Sequence, residues 1–242
     1  MTRFSAPLIL GLALVAFACN ENKPGPTPAT AETTKANANT AEAPKEPGAA
    51  EPKPEAEAKP KGIAVGQPAP DFELKDMKGE SVKLSSYKGK VVVLEWFNPG
   101  CPYVKASHTK GSLVGAAKKH TEGGGVWLTI NSAAEGKQGA SMDENKQAAE
   151  QYGFSHPLLF DAEGTVGKQY GATHTPHMFV INEEGTVVYA GAIDNSPDGA
   201  GESPKGGTLV NHVAEALKDI AEKKPVRTPE TEAYGCSVKY KS

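Results

Sequence analysis

Cys101, Cys236 and Glu95 are the residues whose types and placement point to chemistry in this 242-residue chain. Cys101 follows an apolar run, Val91 to Phe97, and a turn, Asn98-Pro99-Gly100. It opens Cys101-Pro102-Tyr103-Val104, which leads into a helix expected over Lys105 to His120. A cysteine at a helix start faces unpaired backbone N–H groups and the positive end of the helix dipole, and both favour thiolate over thiol. A thiol pKa of roughly 8.5 falls to about 3.5–7.5 in such places. The thiolate is the nucleophile, so Cys101 is a candidate redox centre. The plain alternative is a buried, inert cysteine.

Cys236 lies near the C-terminus beside Gly235. Its functional reading is a resolving thiol that pairs with Cys101 after attack; otherwise it is an idle or structural tail cysteine. Glu95 interrupts the apolar run. A buried carboxylate there is expected to have a raised pKa and to relay protons; the alternative is a glutamate at a strand end facing water. His108, His174 and His177 are scattered, without the clustered cysteines a metal carrier needs, so no metal site is assigned. Asp194, Asp198 and Glu202 lie in a long loop at spacings that fit no calcium loop.

These residues depend on a framework of alternating strands and helices. Asp71–Leu74 and Ser81–Leu84 read as a hairpin about Lys78-Gly79. Val91–Phe97 is a mostly apolar run, as expected of a central strand covered on both faces. Pro102 suits the first helical position, where its missing N–H costs nothing. Val126–Asn131 is a strand, and Ser141 with Glu144 forms a capping box for a helix running to Tyr152. A short strand at Pro157–Phe160 and a short helix at Thr165–Tyr170 follow. Met178–Ile181 and Thr186–Ala190 make a second hairpin around Glu183-Glu184-Gly185. Val210, Val213, Leu217 and Ile220 recur at helical spacing before Pro225. The tail from Val226 has no strong period. Strand–helix–strand alternation implies a parallel core, to which the late hairpin adds antiparallel strands.

The first 61 residues are of a different kind. Arg3 and the apolar stretch Pro7–Ala18 read as a targeting segment too short to span a bilayer. Ala16-Phe17-Ala18 before Cys19 fits a processing site, with Cys19 the lipidated residue of a bacterial lipoprotein; a plain secreted protein and an uncleaved anchor are the other readings. Residues 20–61, rich in Ala, Pro, Glu, Lys and Thr, have little to bury and read as a disordered tether. The organisation is therefore a signal at 1–19, a linker at 20–61 and one domain at 62–242. The formal net charge of −3 and the absence of a basic run argue against nucleic acid.

With this layout, the chain resembles the thioredoxin fold, an α/β architecture with a central mixed sheet flanked by helices, here with an N-terminal β-hairpin extension. Cys101-Pro102-Tyr103-Val104 stands where thioredoxins carry Cys-x-x-Cys, and Thr175-Pro176 is similar to the family's cis-proline motif. More closely, Gly66–Phe72, Asn98–Val104 and Gly235–Tyr240 resemble the peroxiredoxin-like branch of the alkyl hydroperoxide reductase/thiol-specific antioxidant, or redoxin, families. The resemblance implies Cys101 as nucleophile, Glu95 at the place of a buried acid beneath it, and Pro102, Tyr103, Thr175 and Pro176 as the substrate face. Val104 replaces the second cysteine of the motif. Asn98 and Leu94 stand where peroxiredoxins carry a hydroxyl and a proline, and Arg227 is the domain's one arginine.

The expected function is an extracytoplasmic thiol-based oxidoreductase acting on a disulfide-bearing protein or a small hydroperoxide, recharged by a thiol reductant. It is expected on the periplasmic side of a bacterial envelope, lipid-anchored to a membrane, or otherwise secreted. No cofactor is implied, because sulfur carries the redox change. The alternative is a non-catalytic thioredoxin-like module for protein binding or metal delivery.

Overall fold

The computed structural model describes residues 62–241. The targeting segment, the linker and Cys19 lie outside the described residues. The first hairpin pairs β1 (Glu73–Asp76) with β2 (Ser81–Lys83), and a 3-10 turn at Leu84–Tyr87 follows. β3 (Val92–Trp96) is buried at every position, Glu95 included.

The chain continues through α1 (Pro102–Thr109), α2 (Ala116–Glu122) and β4 (Val126–Asn131). Then come α3 (Met142–Gln151), β5 (Leu158–Phe160) and α4 (Thr165–Tyr170). β6 (His174–Thr175), β7 (His177–Ile181), β8 (Val187–Gly191), α5 (His212–Ala221) and β9 (Cys236–Ser237) complete it.

Seven strands form one mixed sheet in the order β2-β1-β5-β4-β3-β7-β8. β3, β4 and β5 run parallel, while β7 and β8 add antiparallel strands on one side and β1 on the other. This is the mixed, helix-flanked sheet that the resemblance to the thioredoxin fold implies.

Alternation along the central strands divides the core. Val92, Leu94 and Trp96 of β3 join Leu128, Ile130, Tyr170 and Phe179 in one cluster. Val93 faces the other way, with Trp127, Met178, Val180 and residues of α5. Period-2 geometry puts Glu95 on this second face, beside Val93 and beneath helices rather than at a wet strand end.

Two expectations need correction. The helix expected over Lys105–His120 is two helices. A Cβ on Gly111 would fall inside the Gly199 carbonyl oxygen, and Gly115 has φ +68°, outside the helical range. The long loop 192–211 therefore packs where a continuous helix would pass. The tail, which shows no sequence period, contains β9; it pairs antiparallel with β6, with Thr175 opposite Cys236 and His174 opposite Ser237.

Candidate active site

Cys101 caps α1 and Pro102 takes its first turn, so the helix start forms where the sequence places it. The turn beneath is held by Asn98, whose Oδ1 accepts from Gly100 N at 2.8 Å and whose Nδ2 donates to Gln138 O at 2.9 Å. Asn98 O in turn accepts from Cys101 N at 3.0 Å. Asn98 is thus a buried clamp on the Cys101 turn, at the position where a peroxidase would present a hydroxyl.

The Cys101 sulfur makes no capping bond to the first-turn N–H groups. As a thiol it donates to Thr175 O at 3.0 Å, and Cys236 Sγ lies 2.7 Å away. Both cysteines are free thiols; Cys101 is 1% exposed and Cys236 half-buried. The Thr175–Pro176 peptide bond is cis. Thr175 is buried at the same point and reaches Cys236 O through its hydroxyl at 3.5 Å. Cys101, Cys236, Thr175 and Pro176 are therefore one constellation. The half-exposed Tyr103 ring lies 5.9 Å from that of Tyr234, at the edge of the same face, and Pro102 is exposed.

Burial first, and then the hydrogen bond and negative charge of Cys101, together push the Cys236 thiol up to about 12. Cys236 accordingly keeps its proton at neutral pH when Cys101 is charged. The two sulfurs behave as one coupled pair.

Glu95 is fully buried in β3. Its Oε1 is 2.7 Å from His108 Nε2, and its Oε2 accepts from Trp127 Nε1 at 3.0 Å and Thr129 Oγ1 at 3.5 Å. Thr129 Oγ1 is also 2.9 Å from His156 Nε2. The expected raised pKa is corrected. Burial pushes it up, but the charge and hydrogen bond of His108, the charge of His156 and the Trp127 N–H together hold Glu95 below its ordinary value. The His108 ring is stacked on Tyr152 with centroids 4.8 Å apart, and Phe97 and Phe154 meet it edge-on or tilted. None of Glu95's bonds reaches a sulfur; they tie β3 and β4 to α1, the helix that carries Cys101.

The tail is the part of the site that sequence reasoning underestimated. Without a strong period in sequence, it is anchored on both sides of Cys236. Tyr234 OH donates to buried Asp194 Oδ1 at 2.6 Å. Val238 N donates to Thr173 O at 3.0 Å, Ala134 N donates to Lys239 O at 2.9 Å, and Tyr240 OH donates to Ala172 O at 2.7 Å. Gly164 and Gly167 are bare where the Tyr240 ring lies against α4. The glycines and tyrosines around Cys236 were the available signal, but their partners lie 40 and 68 residues away.

Arg227 is held by Asp219, its Nε 3.0 Å from both carboxylate oxygens. His177 Nδ1 accepts from Thr173 N at 3.2 Å and His108 is committed to Glu95. Among the described residues no group of three or more His, Cys, Asp or Glu side chains is arranged to hold a metal. None of the described helices is long and apolar enough to cross a membrane.

The family model described as Redoxin matches residues 64–206. The thiol-disulfide oxidoreductase ResA of Geobacillus kaustophilus (strain HTA426) is 31% identical over 126 residues, which are 52% of this chain and 67% of that protein. The peroxiredoxin Bcp of Bacillus subtilis (strain 168) is 56% identical over 43 residues, 16% of this chain and 27% of that one. A hypothetical protein of Sinorhizobium meliloti 1021 has a similar structure, with TM-score 0.65 and 25% identity over 75% of this chain and 97% of that one. An uncharacterized conserved protein from Geobacillus kaustophilus has TM-score 0.64 and 28% identity, covering 74% and 93%. The Redoxin match includes the strand, turn and helix start that carry Cys101, and the ResA match spans about two thirds of ResA. By this match over more than half its length, and by a sheet that brings Cys101 onto a cis-proline, the chain belongs to the Redoxin family.

Proposed function

We propose that the protein is a thiol-disulfide oxidoreductase in which Cys101 is the nucleophile and Cys236 the resolving thiol. The observation that carries this reading is the 2.7 Å approach of the two sulfurs beside Thr175 and cis Pro176. Cys101 attacks a substrate disulfide as thiolate, forming a mixed disulfide and releasing one substrate sulfur. Cys236 then loses its proton and attacks the Cys101 sulfur. The second substrate sulfur leaves and takes up a proton, so the substrate gains two electrons and the Cys101–Cys236 pair loses them. An external thiol reductant restores the pair. Thr175, Pro176, Pro102 and Tyr103 form the receiving face. Glu95, paired with His108, holds α1 and thereby Cys101 in place.

A disulfide is favoured over a hydroperoxide as substrate. Asn98 is spent on the turn and Arg227 on Asp219, so neither polarises a peroxide at Cys101. We place the protein outside the cytoplasm, anchored through lipid on Cys19, because a cysteine pair is stable in an oxidising compartment and Cys19 follows a small-residue processing site. Loss of membrane association in Cys19→Ser would test the anchor.

For the redox assignment, the reduced full chain is exposed in parallel to a protein disulfide and to stoichiometric hydrogen peroxide, and thiols are mapped by mass spectrometry. Rapid formation of Cys101–Cys236 with the disulfide, and slow unselective oxidation with peroxide, are expected. Two thiols left free by the disulfide would refute it. Rapid, selective loss of Cys101 to peroxide would assign a peroxidase instead.

A further inference from the structure

The Cys101 sulfur is almost wholly enclosed, and its cover is the chain's own tail. β9 lies antiparallel along β6, with Cys236 opposite Thr175. An extended segment that adds to a short strand edge gains affinity through main-chain hydrogen bonds and specificity through its side chains. The tail meets both descriptions. Val238 N donates to Thr173 O, and Tyr234 reaches buried Asp194 with its hydroxyl while its ring lies near Tyr103.

Between these anchors Gly235 has φ +116°, and a Cβ there would fall inside the Thr175 carbonyl oxygen. The edge therefore accepts a cysteine only when the residue before it is bare in this conformation. We propose that the β6 edge is a docking strip for an extended Gly-Cys-bearing polypeptide, that the tail is its resident occupant, and that a polypeptide disulfide reaches Cys101 only when the tail lifts. The proposal rests on Cys101 being the nucleophile.

The exchange then has a direction built in. With the tail lifted, the Cys101 thiolate attacks the incoming disulfide, forms a Cys101–substrate bond and releases the other substrate half as a thiolate. The returning tail brings Cys236, which gives up its proton and attacks Cys101 Sγ. The bound substrate half leaves as a thiolate, takes up a proton and is displaced from the strip by β9. Two electrons pass to the substrate, and the new Cys101–Cys236 bond locks the tail down until a thiol reductant opens it.

The test uses full-length Cys236→Ser, which keeps the strap but cannot form the internal disulfide. The probes are Tyr-Gly-Cys-Ser-Val and Tyr-Ala-Cys-Ser-Val, each as a mixed disulfide with thionitrobenzoate, and the small 2,2′-dithiodipyridine. Rates at Cys101 are compared with those of the same protein carrying Tyr234→Ala or, separately, Val238→Pro, which loosen opposite sides of the strap. The glycine peptide is expected to react at least tenfold faster in both loosened proteins, and at least fivefold faster there than the alanine peptide. Equal peptide rates with and without loosening, or no preference for glycine, would overturn the proposal while reaction with dithiodipyridine leaves the nucleophile assignment standing. A Cys101 inert to all three probes in every variant would overturn both.

Discussion

Cys236 Sγ sits 2.7 Å from Cys101 Sγ, opposite the same Thr175 whose carbonyl accepts a hydrogen bond from the Cys101 thiol. The pair is aligned by strand register, and Gly235 sets that register. Substituting Gly235→Ala forces a side chain into Thr175 O at φ +116°. Such backbone strain costs about 1–3 kcal/mol. A reduced tail can detach to relieve it, whereas an oxidised one cannot, so the cost falls on the disulfide. The equilibrium constant for Cys101–Cys236 against glutathione should drop by roughly fivefold to somewhat over a hundredfold. An unchanged constant in redox titration would show that β9 does not set the approach.

The ionisation of Cys236 depends on its neighbour. Burial raises its pKa most, and the Cys101 hydrogen bond and charge add to it, bringing it to about 12. Replacing Cys101→Ser removes the charge and leaves the burial. The pH profile for alkylation of Cys236 should therefore move to lower pH in the variant while remaining above that of a free cysteine. Coincident profiles for wild type and variant, followed by peptide mapping of the label, would show that the sulfurs are not electrostatically coupled.

The sequence showed the framework because the framework is local. The apolar run of β3, the proline after Cys101, and the Ser141–Glu144 cap, which is present at 3.4 Å, are readable from neighbours in the chain. The break between α1 and α2 was hidden because it is made by the distant Gly199 carbonyl. The acidity of Glu95 was misjudged for a similar reason. Burial could be inferred from its strand, but His108, Trp127 and His156 arrive from three other segments. Cys236 was recognisable as a candidate, yet its place depends on a strand of two residues whose pairing no periodicity could signal.

Glu95 and His108 test whether the buried pair is structural. Removing one partner of a buried ion pair strands the other, at a cost of about 3–5 kcal/mol. Glu95→Gln should lower stability by that order in chemical denaturation, since the amide cannot replace the carboxylate opposite His108, Trp127 and Thr129. The double variant Glu95→Gln/His108→Gln should recover part of the loss. Destabilisation of less than about 1 kcal/mol in the single variant would contradict the tie between β3 and α1.

Acid should loosen the fold in two stages. Burial holds His156 at about 4, with the charge of Glu95 partly opposing it, and holds His177 at about 4, both against an ordinary 6.5. Above pH 6.5 both are neutral whether the chain is folded or not. Between 6.5 and 4 only the unfolded chain binds their protons, so stability falls as pH falls, by up to about 1.4 kcal/mol per pH unit for each histidine. Below 4 the folded state binds them too and their contribution levels off. Glu95 has the depressed pKa of a paired carboxylate, so its stabilisation is complete above its ordinary 4.5 and is lost as pH drops through the lower folded value. Urea unfolding of the reduced protein from pH 7.5 to 3.5 should thus show stability already declining near pH 6. In His156→Gln/His177→Gln the decline between pH 6.5 and 4.5 should be shallower, the remainder coming from His120, which burial also holds below 6.5, and an unchanged slope would assign the acid sensitivity to other groups.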